Sequence, residues 1–197
     1  MFKLGESMTD IIVIGGGAAG MMAAISAAES GAEVAIIDGN ERLGRKLGIT
    51  GKGRCNLTND SEIDEFMRNI PRNPGFMYSS YSAFNAQDTM RFFEGLGVPL
   101  KTERGRRVFP ASDRAGDVVR ALTGRIQELG VKVVRDRATS LITENGRCKG
   151  VVCRKRQYKA QAVILATGGM SYPLTGSDGA GYELARQAGH NIVAPVP

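Results

Sequence analysis

The chain has 197 residues, 42% of them hydrophobic and 6% aromatic, and carries a formal charge of +6 from 26 basic and 20 acidic residues. This is globular composition, long enough for one good core or for one domain with a smaller appendage. It excludes a disulfide-stapled secreted scaffold, since the three cysteines are odd in number and far apart. It also disfavours a single-strand nucleic-acid binder, since tryptophan is absent and base-stacking platforms are few.

The 26 glycines exceed the usual fraction of about 7%, while prolines number only 7. Glycines without low-complexity sequence point to tight turns around a ligand. Cys148 and Cys153 lie five apart on an expected strand and the lone histidine is His190, so no metal-ligand cluster can be assembled. Ile11 to Ala28 is uncharged, but a continuous helix would lose about 1 kcal/mol per glycine across the run Gly15–Gly17. Strand, turn and helix fit better than a membrane span, and the chain is expected to be cytoplasmic with no membrane partner.

In chain order, Asp10–Ile14 reads as a buried strand, Gly15–Gly20 as a glycine turn, and Met21–Ser30 as an alanine-rich helix closed by Gly31. Glu33–Ile37 is a second strand, which makes a right-handed βαβ unit with a parallel pair. Asp38 ends that strand. The loop Gly48–Asp60, "GITGKGRCNLTND", follows, then a polar and aromatic stretch to Gly95 with helical spacing in its second half. Val98–Phe109 reads as a hairpin. Val118, Leu122, Ile126 and Leu129 repeat at helical spacing over Ala115–Leu129, and Gly130 closes this second crossover helix before a strand at Val131–Arg135. Thr139–Thr143, Cys148–Arg154 and Gln157–Ala160 form a β-meander, and Ala162–Ala166 is a separate central parallel strand. A second glycine-rich turn leads to a helix at Tyr182–Ala188. The basic clusters Lys101–Arg107 and Arg154–Lys159 read as solvated hairpin turns.

The chemistry starts at Gly15, Gly17 and Gly20, a G-x-G-x-x-G between a strand and a helix. The first glycine makes the turn, the second admits a pyrophosphate to the backbone, and the third lets helix and strand pack closely. The helix N-terminus supplies free N–H groups and the positive end of the dipole, and Ala18 and Ala19 of the turn are cofactor-binding candidates beside it. Asp38, followed by Gly39, falls eighteen residues beyond Gly20, where a carboxylate accepts from ribose hydroxyls. FAD and NAD both satisfy this unit. The loop at 48–60 is not a P-loop, which would need glycine at Lys46 and Ser or Thr at Gly53.

The stretches "GGGAAG", "ERLGRKLGITGKGRCNLTN", "VFPASDRAGDVV" and "ATGGMSYPLTGSDGAGYELARQAGH" resemble the YhiN/HI0933-type (BaiN-like) flavoproteins. The resemblance covers essentially the whole chain. It implies an α/β fold of the Rossmann-like, two-dinucleotide-binding-domain flavoprotein type, with a parallel sheet, crossover helices and a β-meander, binding FAD. It implies that residues 1–197 are the N-terminal part of an FAD-binding domain, incomplete at the C-terminus, without the substrate-cap insertion and the C-terminal return segment. By the same resemblance, Gly15, Gly17 and Gly20 bracket the pyrophosphate and Asp38 the ribose. Arg45, Lys46, Gly51, Lys52, Gly53, Arg54, Cys55 and Asn56 wrap the phosphate-to-flavin portion, the cations offsetting phosphate charge and the Asn56 amide reaching a flavin edge. Ala138 lies by the adenine, Ala166, Thr167, Gly168 and Gly169 form a turn passing the cofactor again, and Asp178 and Gly179 open a helix towards the flavin.

No catalytic residue stands out. Cys55 has no partner thiol within ninety residues, against a disulfide reductase; His190 packs or caps a helix end; Tyr172 is a candidate to face the isoalloxazine. The leading expectation is an oxidoreductase acting on a small-molecule substrate, linked to NAD(P)H or to substrate, with no nucleic-acid partner. A non-catalytic dinucleotide-binding fragment or half-assembly is the alternative. A flavin-dependent RNA-modifying enzyme stands third, because aromatic content is low and basic charge is scattered.

Overall fold

The computed structural model describes residues 9–195. In chain order its elements are β1 (Thr9–Ile14), α1 (Ala18–Glu29), β2 (Val34–Asp38), the single turn α2 (Thr50–Gly53), β3 (Thr58–Asn59), α3 (Ile63–Arg68), α4 (Tyr78–Ala83), α5 (Ala86–Gly95), β4 (Leu100–Glu103) and β5 (Arg107–Pro110). They continue with α6 (Ala115–Glu128), β6 (Lys132–Arg135), β7 (Ala138–Glu144), β8 (Arg147–Cys153), β9 (Gln157–Leu165) and α7 (Ala180–Gln187). The chain divides into two compact units, one ending at Lys46 and resuming at Thr123, the other spanning Leu47–Leu122.

The first unit is a six-stranded sheet in the order β6-β2-β1-β9-β8-β7. β6, β2, β1 and β9 run parallel, and β9, β8 and β7 form the antiparallel meander. The register places Ile12 beside Ala35 and Ile14 beside Ile37, so these four share one face. They are buried together with Val151, Cys153 and Ala160 of the meander and Leu184 of α7. The opposite face carries Val13 and Ile36, both fully buried, and α1 packs against β1 and β2. Its buried residues are Gly20 and, spaced as one helical stripe, Met21, Ala24 and Ile25. Burial on both faces is why β1 and β2 read as unbroken apolar runs.

The meander differs from the sequence reading in one respect. The runs Gln157–Ala160 and Ala162–Ala166, expected as two strands, are one nine-residue strand. Its first residues pair with β8 and its remainder with β1. No turn residue separates the two runs, and Gln161 between them is held by its amide donating to the Asp10 carboxylate at 2.6 Å. Gly150 permits the close crossing of β8 and β9: its φ is +148°, and a Cβ there would lie 2.1 Å from the Tyr158 carbonyl oxygen.

The second unit is built on the antiparallel sheet β3-β5-β4, and the expected hairpin is β4–β5, turned through Gly105 and Arg106 at positive φ. Val108, Phe109, Phe93 and Val98 are buried here. α5 begins with a capping box, in which Asn85 accepts from the Asp88 N–H and Asp88 accepts from the Asn85 N–H. Phe66 and Tyr81 stack with ring centroids 4.1 Å apart, joining α3 to α4. Val118, Leu122 and Ile126 of the expected stripe are buried on α6, while Leu129, its fourth member, lies just past the helix end and is half-buried.

Ile37 lies at 1% exposure where sheet, meander and α7 meet. Ile37→Ala should cost about 2–5 kcal/mol of unfolding free energy in urea titration. A loss under 1 kcal/mol would contradict this account of the core.

Candidate dinucleotide site at the carboxyl edge of the parallel sheet

The ends of β1, β2 and β9 converge on one edge of the first unit. The ladders run past the strand ends: Gly15 N–H donates to Ile37 O at 2.9 Å, and Ala166 N–H donates to Ile14 O at 2.8 Å. β1 lies between β2 and β9, so the chain order reverses around it, and the crevice outside such a switch point is where open α/β sheets take ligands.

Three of the four glycines in the turn have an internal cause. A Cβ on Gly15, whose φ is +106°, would lie 2.4 Å from the Ala166 carbonyl oxygen; one on Gly20 would lie 1.8 Å from the Gly15 oxygen; one on Gly16 would lie 2.2 Å from Leu43 Cδ2. Gly16 was not singled out by the motif, whose second position is free, and the atoms its Cβ would meet are side-chain ends, of Leu43 and of Asp38 at 2.9 Å, not backbone. Gly17 is different. It occupies the N-cap of α1 with no side-chain cap and an extended backbone, and a Cβ there would meet nothing within 4 Å. The space in front of it is a cradle at the exposed first turn of Ala18 and Ala19, where unpaired N–H groups favour an anion. The residues present therefore fit a dinucleotide pyrophosphate.

Asp38 closes the turn. Its Oδ2 accepts the Gly16 N–H at 2.5 Å and its Oδ1 accepts the Asn40 N–H at 2.7 Å. Gly44 N–H in turn donates to Gly16 O at 2.8 Å. The cations that follow are tethered. Arg45 Nη1 donates to Asn40 Oδ1 at 3.0 Å, and Lys46 Nζ donates to the Ser171 carbonyl and hydroxyl at 3.0 and 2.6 Å. Asn40 Nδ2 donates to Thr175 O at 3.2 Å. These bonds sew the loop after β2 to the loop after β9.

In that second loop, Gly168 at φ +76° would drive a Cβ to 2.7 Å from Ser177 Oγ, while Thr167 Oγ1 lies where a Cβ on Gly181 would fall. Gly179, at φ +84°, donates from its N–H to Gly169 O. Asp178 is ion-paired with Arg137 and also accepts the Ala180 N–H at 3.2 Å. The Arg137 guanidinium holds the Asp178 carboxyl below the usual aspartate range. Gly39 lies beside the stem of Arg137. Ala138 begins β7 opposite Cys153. Tyr172 is exposed in the left-handed region at φ +55°, 5.7 Å from Lys46 Nζ, and His190 is exposed beyond α7.

The structure thus brings together the candidate residues up to Lys46 and those from Ala138 to Gly179 within one unit. Gly51 to Asn56 belong to the other. There Gly51 and Lys52 take left-handed φ inside the single turn α2, and a Cβ on Gly51 would lie 2.8 Å from the Asn56 nitrogen. Arg54 pairs with Glu103 at 2.9 Å and Asp113 at 3.2 Å and lies over the Phe109 ring at 4.0 Å. Lys101 joins the same cluster through Asp113 at 2.6 Å. The two carboxyls are held below their usual range, Glu103 chiefly by Arg54 and Asp113 chiefly by Lys101. The Asn56 amide, oriented to satisfy its neighbours, donates to the Val108 and Thr58 carbonyls. Cys55 is fully buried with φ +63°, and burial pushes its thiol pKa up. Cys153 is pushed up to about 12, by burial first and the Asp136 charge second. Neither thiol is ionised near neutral pH. Among the described residues no group of His, Cys, Asp and Glu is arranged to hold a metal ion, and no helix is long and apolar enough to cross a membrane.

This sheet, turn and covering meander define a Rossmann-type dinucleotide-binding domain of the flavoprotein kind. The chain matches the HI0933-like protein Rossmann domain over residues 9–196 and belongs to that family. It is 38% identical over 205 residues to the 3-dehydro-bile acid delta(4,6)-reductase of Clostridium scindens, an alignment covering 96% of this chain and 46% of that protein. It is 31% identical over 193 residues to the ribosomal RNA dihydrouridine synthase of Escherichia coli, covering 93% and 45%. The fold is shared with the open conformation of a flavocytochrome c3 fumarate reductase at a TM-score of 0.73 and 20% identity, over 94% of this chain and 41% of that one. The chain spans about half the length of the curated relatives it matches.

Two predictions follow from the turn and the ion pair. Asp38→Asn keeps an acceptor for one backbone N–H but sets an amide donor against the other, so unfolding free energy should fall by about 1–3 kcal/mol. Unchanged stability would remove Asp38 from the turn. For Asp178, a folded-state pKa below the ordinary ~3.9 contributes stability that is fully present above that value and lost as pH falls through the depressed one. The stability difference between wild type and Asp178→Asn should therefore hold constant from about pH 6 to 8 and shrink below about pH 4. A difference that persists undiminished to pH 2 would contradict the assigned ionisation.

Proposed function

We propose that this protein binds FAD at the carboxyl edge of its parallel sheet and works as a flavin-dependent oxidoreductase. The observation that carries the reading is the open cradle at Gly17, set in a turn whose Gly15 and Gly20 are forced by backbone contact. A residue with no steric reason to be glycine, at a helix N-terminus with exposed amides, fits a ligand that must approach the backbone. Gly15 and Gly20 shape the turn, and the Ala18 and Ala19 N–H groups face the pyrophosphate. The acceptor sites of Asp38 not used by Gly16 and Asn40 receive ribose hydroxyls. Arg45 and Lys46 contribute positive charge from tethered positions, and the turn Ala166–Gly169 borders the same crevice. Tyr172, held left-handed and exposed, is the side chain that lies towards the reacting end.

Bound FAD supplies hydride chemistry, and the protein supplies binding, orientation and electrostatics. For the reaction we take what the two relatives' names have in common. Reducing a delta(4,6) unsaturated 3-dehydro bile acid and making dihydrouridine both add hydrogen across a carbon–carbon double bond conjugated to a carbonyl. We propose reduction of such an alkene, with NAD(P)H as the electron source. A small-molecule enone is the preferred acceptor, since the bile-acid enzyme is the more similar of the two at 38% against 31%. A uracil base in RNA is the second reading, supported by the other relative and by the net charge of +6. Three free thiols, two of them buried, fit a reducing cytoplasm.

The purified protein should take up FAD and bleach on anaerobic addition of NADH or NADPH, and an unsaturated ketone should restore the colour. Gly17→Val should abolish FAD retention by filling the cradle. A protein that takes up no FAD, or a Gly17→Val variant of unchanged affinity, would overturn the proposal.

A further inference from the structure

The loop that leaves the turn Ala166–Gly169 carries three exposed apolar side chains. Met170, Tyr172 and Leu174 are 60%, 66% and 87% exposed, and no charged residue stands between Gly168 and Ser177. Apolar side chains scattered singly over a surface need no explanation, whereas three within five positions on a fixed segment mark a contact.

The segment is fixed at both ends. At its start Lys46 Nζ donates to the Ser171 carbonyl and hydroxyl at 3.0 and 2.6 Å, and at its close Asn40 Nδ2 donates to Thr175 O at 3.2 Å. Between these clamps the Tyr172 carbonyl accepts the Thr175 N–H at 2.9 Å and the Thr175 hydroxyl at 2.7 Å, and Gly176 N–H donates to Pro173 O. Met170 lies over bare Gly179, where a Cβ would come 3.1 Å from the Met170 Cγ. Exposure here is therefore not slackness. Tyr172 is also the one aromatic residue among the described residues with left-handed backbone, at φ +55°. That conformation is unfavourable for a residue with a side chain and persists only where the surroundings impose it.

We propose that Met170, Tyr172 and Leu174 form a platform for the hydrocarbon skeleton of the acceptor, setting specificity for a rigid polycyclic enone over a single-ring one, with Lys46 as the positioning residue of the loop. The inference rests on the reading that the protein reduces a conjugated enone. Met170 directly follows Gly169, the last residue of the turn at the crevice, so the platform begins where the cofactor site ends. A single six-membered ring is no larger than the Tyr172 ring and leaves its two apolar neighbours in water. A fused multi-ring skeleton covers them as well, and the gain grows with the apolar area removed from water. Because the loop is already held, its ordering does not oppose binding.

In the test the FAD-loaded protein is titrated with testosterone, a tetracyclic enone, and with cyclohexenone, each followed by the oxidised flavin spectrum, with equilibrium dialysis as a second measure for testosterone. The wild type should bind testosterone at least about tenfold more tightly than cyclohexenone. Tyr172→Ala should weaken testosterone by roughly ten- to a hundredfold and Leu174→Ser by roughly three- to tenfold, both leaving cyclohexenone within about threefold. Tyr172→Phe should keep the wild-type preference. Lys46→Met should erase it, and Lys46→Arg, which can still donate twice to Ser171, should restore it. Failure of that restoration removes Lys46 as the positioning residue. Equal wild-type affinity for the two probes, or unchanged binding in Tyr172→Ala, overturns the platform. A Leu174→Ser variant that differs from wild type only in sedimentation overturns it too, by showing that a second copy covers the loop. Should Tyr172→Ala fail to fold, Leu174→Ser, at a fully solvated side chain, decides the matter. A wild type that retains FAD but binds neither enone sinks this inference and leaves the FAD site standing; one that takes up no FAD sinks the reading beneath it.

Discussion

The first unit depends on one close approach. The carbonyl of Gly15 sits where a side chain on Gly20 would have to be, and the carbonyl of Ala166 sits where one on Gly15 would be. Only bare backbone lets the first turn of α1 rest on the end of β1 while β9 comes alongside. Because β1 is central and parallel to both neighbours, this contact gathers three strand ends and two glycine-rich loops onto one edge. The amides at the start of α1 stay uncapped by any side chain because the N-cap residue, Gly17, has none to offer.

Much of the charge near that edge is structural in this state. Asp38 holds the turn to the segment after β2, Asn40 and Lys46 hold that segment to the loop before α7, and Arg45 braces Asn40. A site already sewn together needs little ordering when a ligand arrives, which is the physical content of preorganisation. In the second unit the four-member cluster of Arg54, Lys101, Glu103 and Asp113 and the amide of Asn56 serve internal bonding in the same way. Arg54 and Asn56 of that basic, glycine-rich loop thus direct their side chains to bonds within their own unit.

Several features are legible in the sequence alone. The G-x-G-x-x-G turn, the flanking strands, the acid at Asp38 and the stripe of α6 all follow local periodicities, and local rules suffice to read them. The helical spacing before Gly95 marks the half of that stretch in which α5 lies, while its start is set by the Asn85–Asp88 capping box and not by apolar spacing. The two runs that merge into β9 were separated on pattern alone, since pattern does not show that one strand can change partners midway.

What the sequence determined by itself was therefore the βαβ unit and the place of its turn, since the residues that specify them lie within some thirty positions of one another. What only the tertiary structure decided was which polar groups remain open to a ligand. The Asn40–Thr175 and Lys46–Ser171 bonds span 135 and 125 residues, and the Arg137–Asp178 pair spans 41. The Ala166 carbonyl makes Gly15 obligatory, while nothing within 4 Å makes Gly17 so. Hydrogen bonds and steric contacts of that reach depend on how strands are ordered in the sheet, and strand order is set by burial over the whole unit and by no single stretch of the chain.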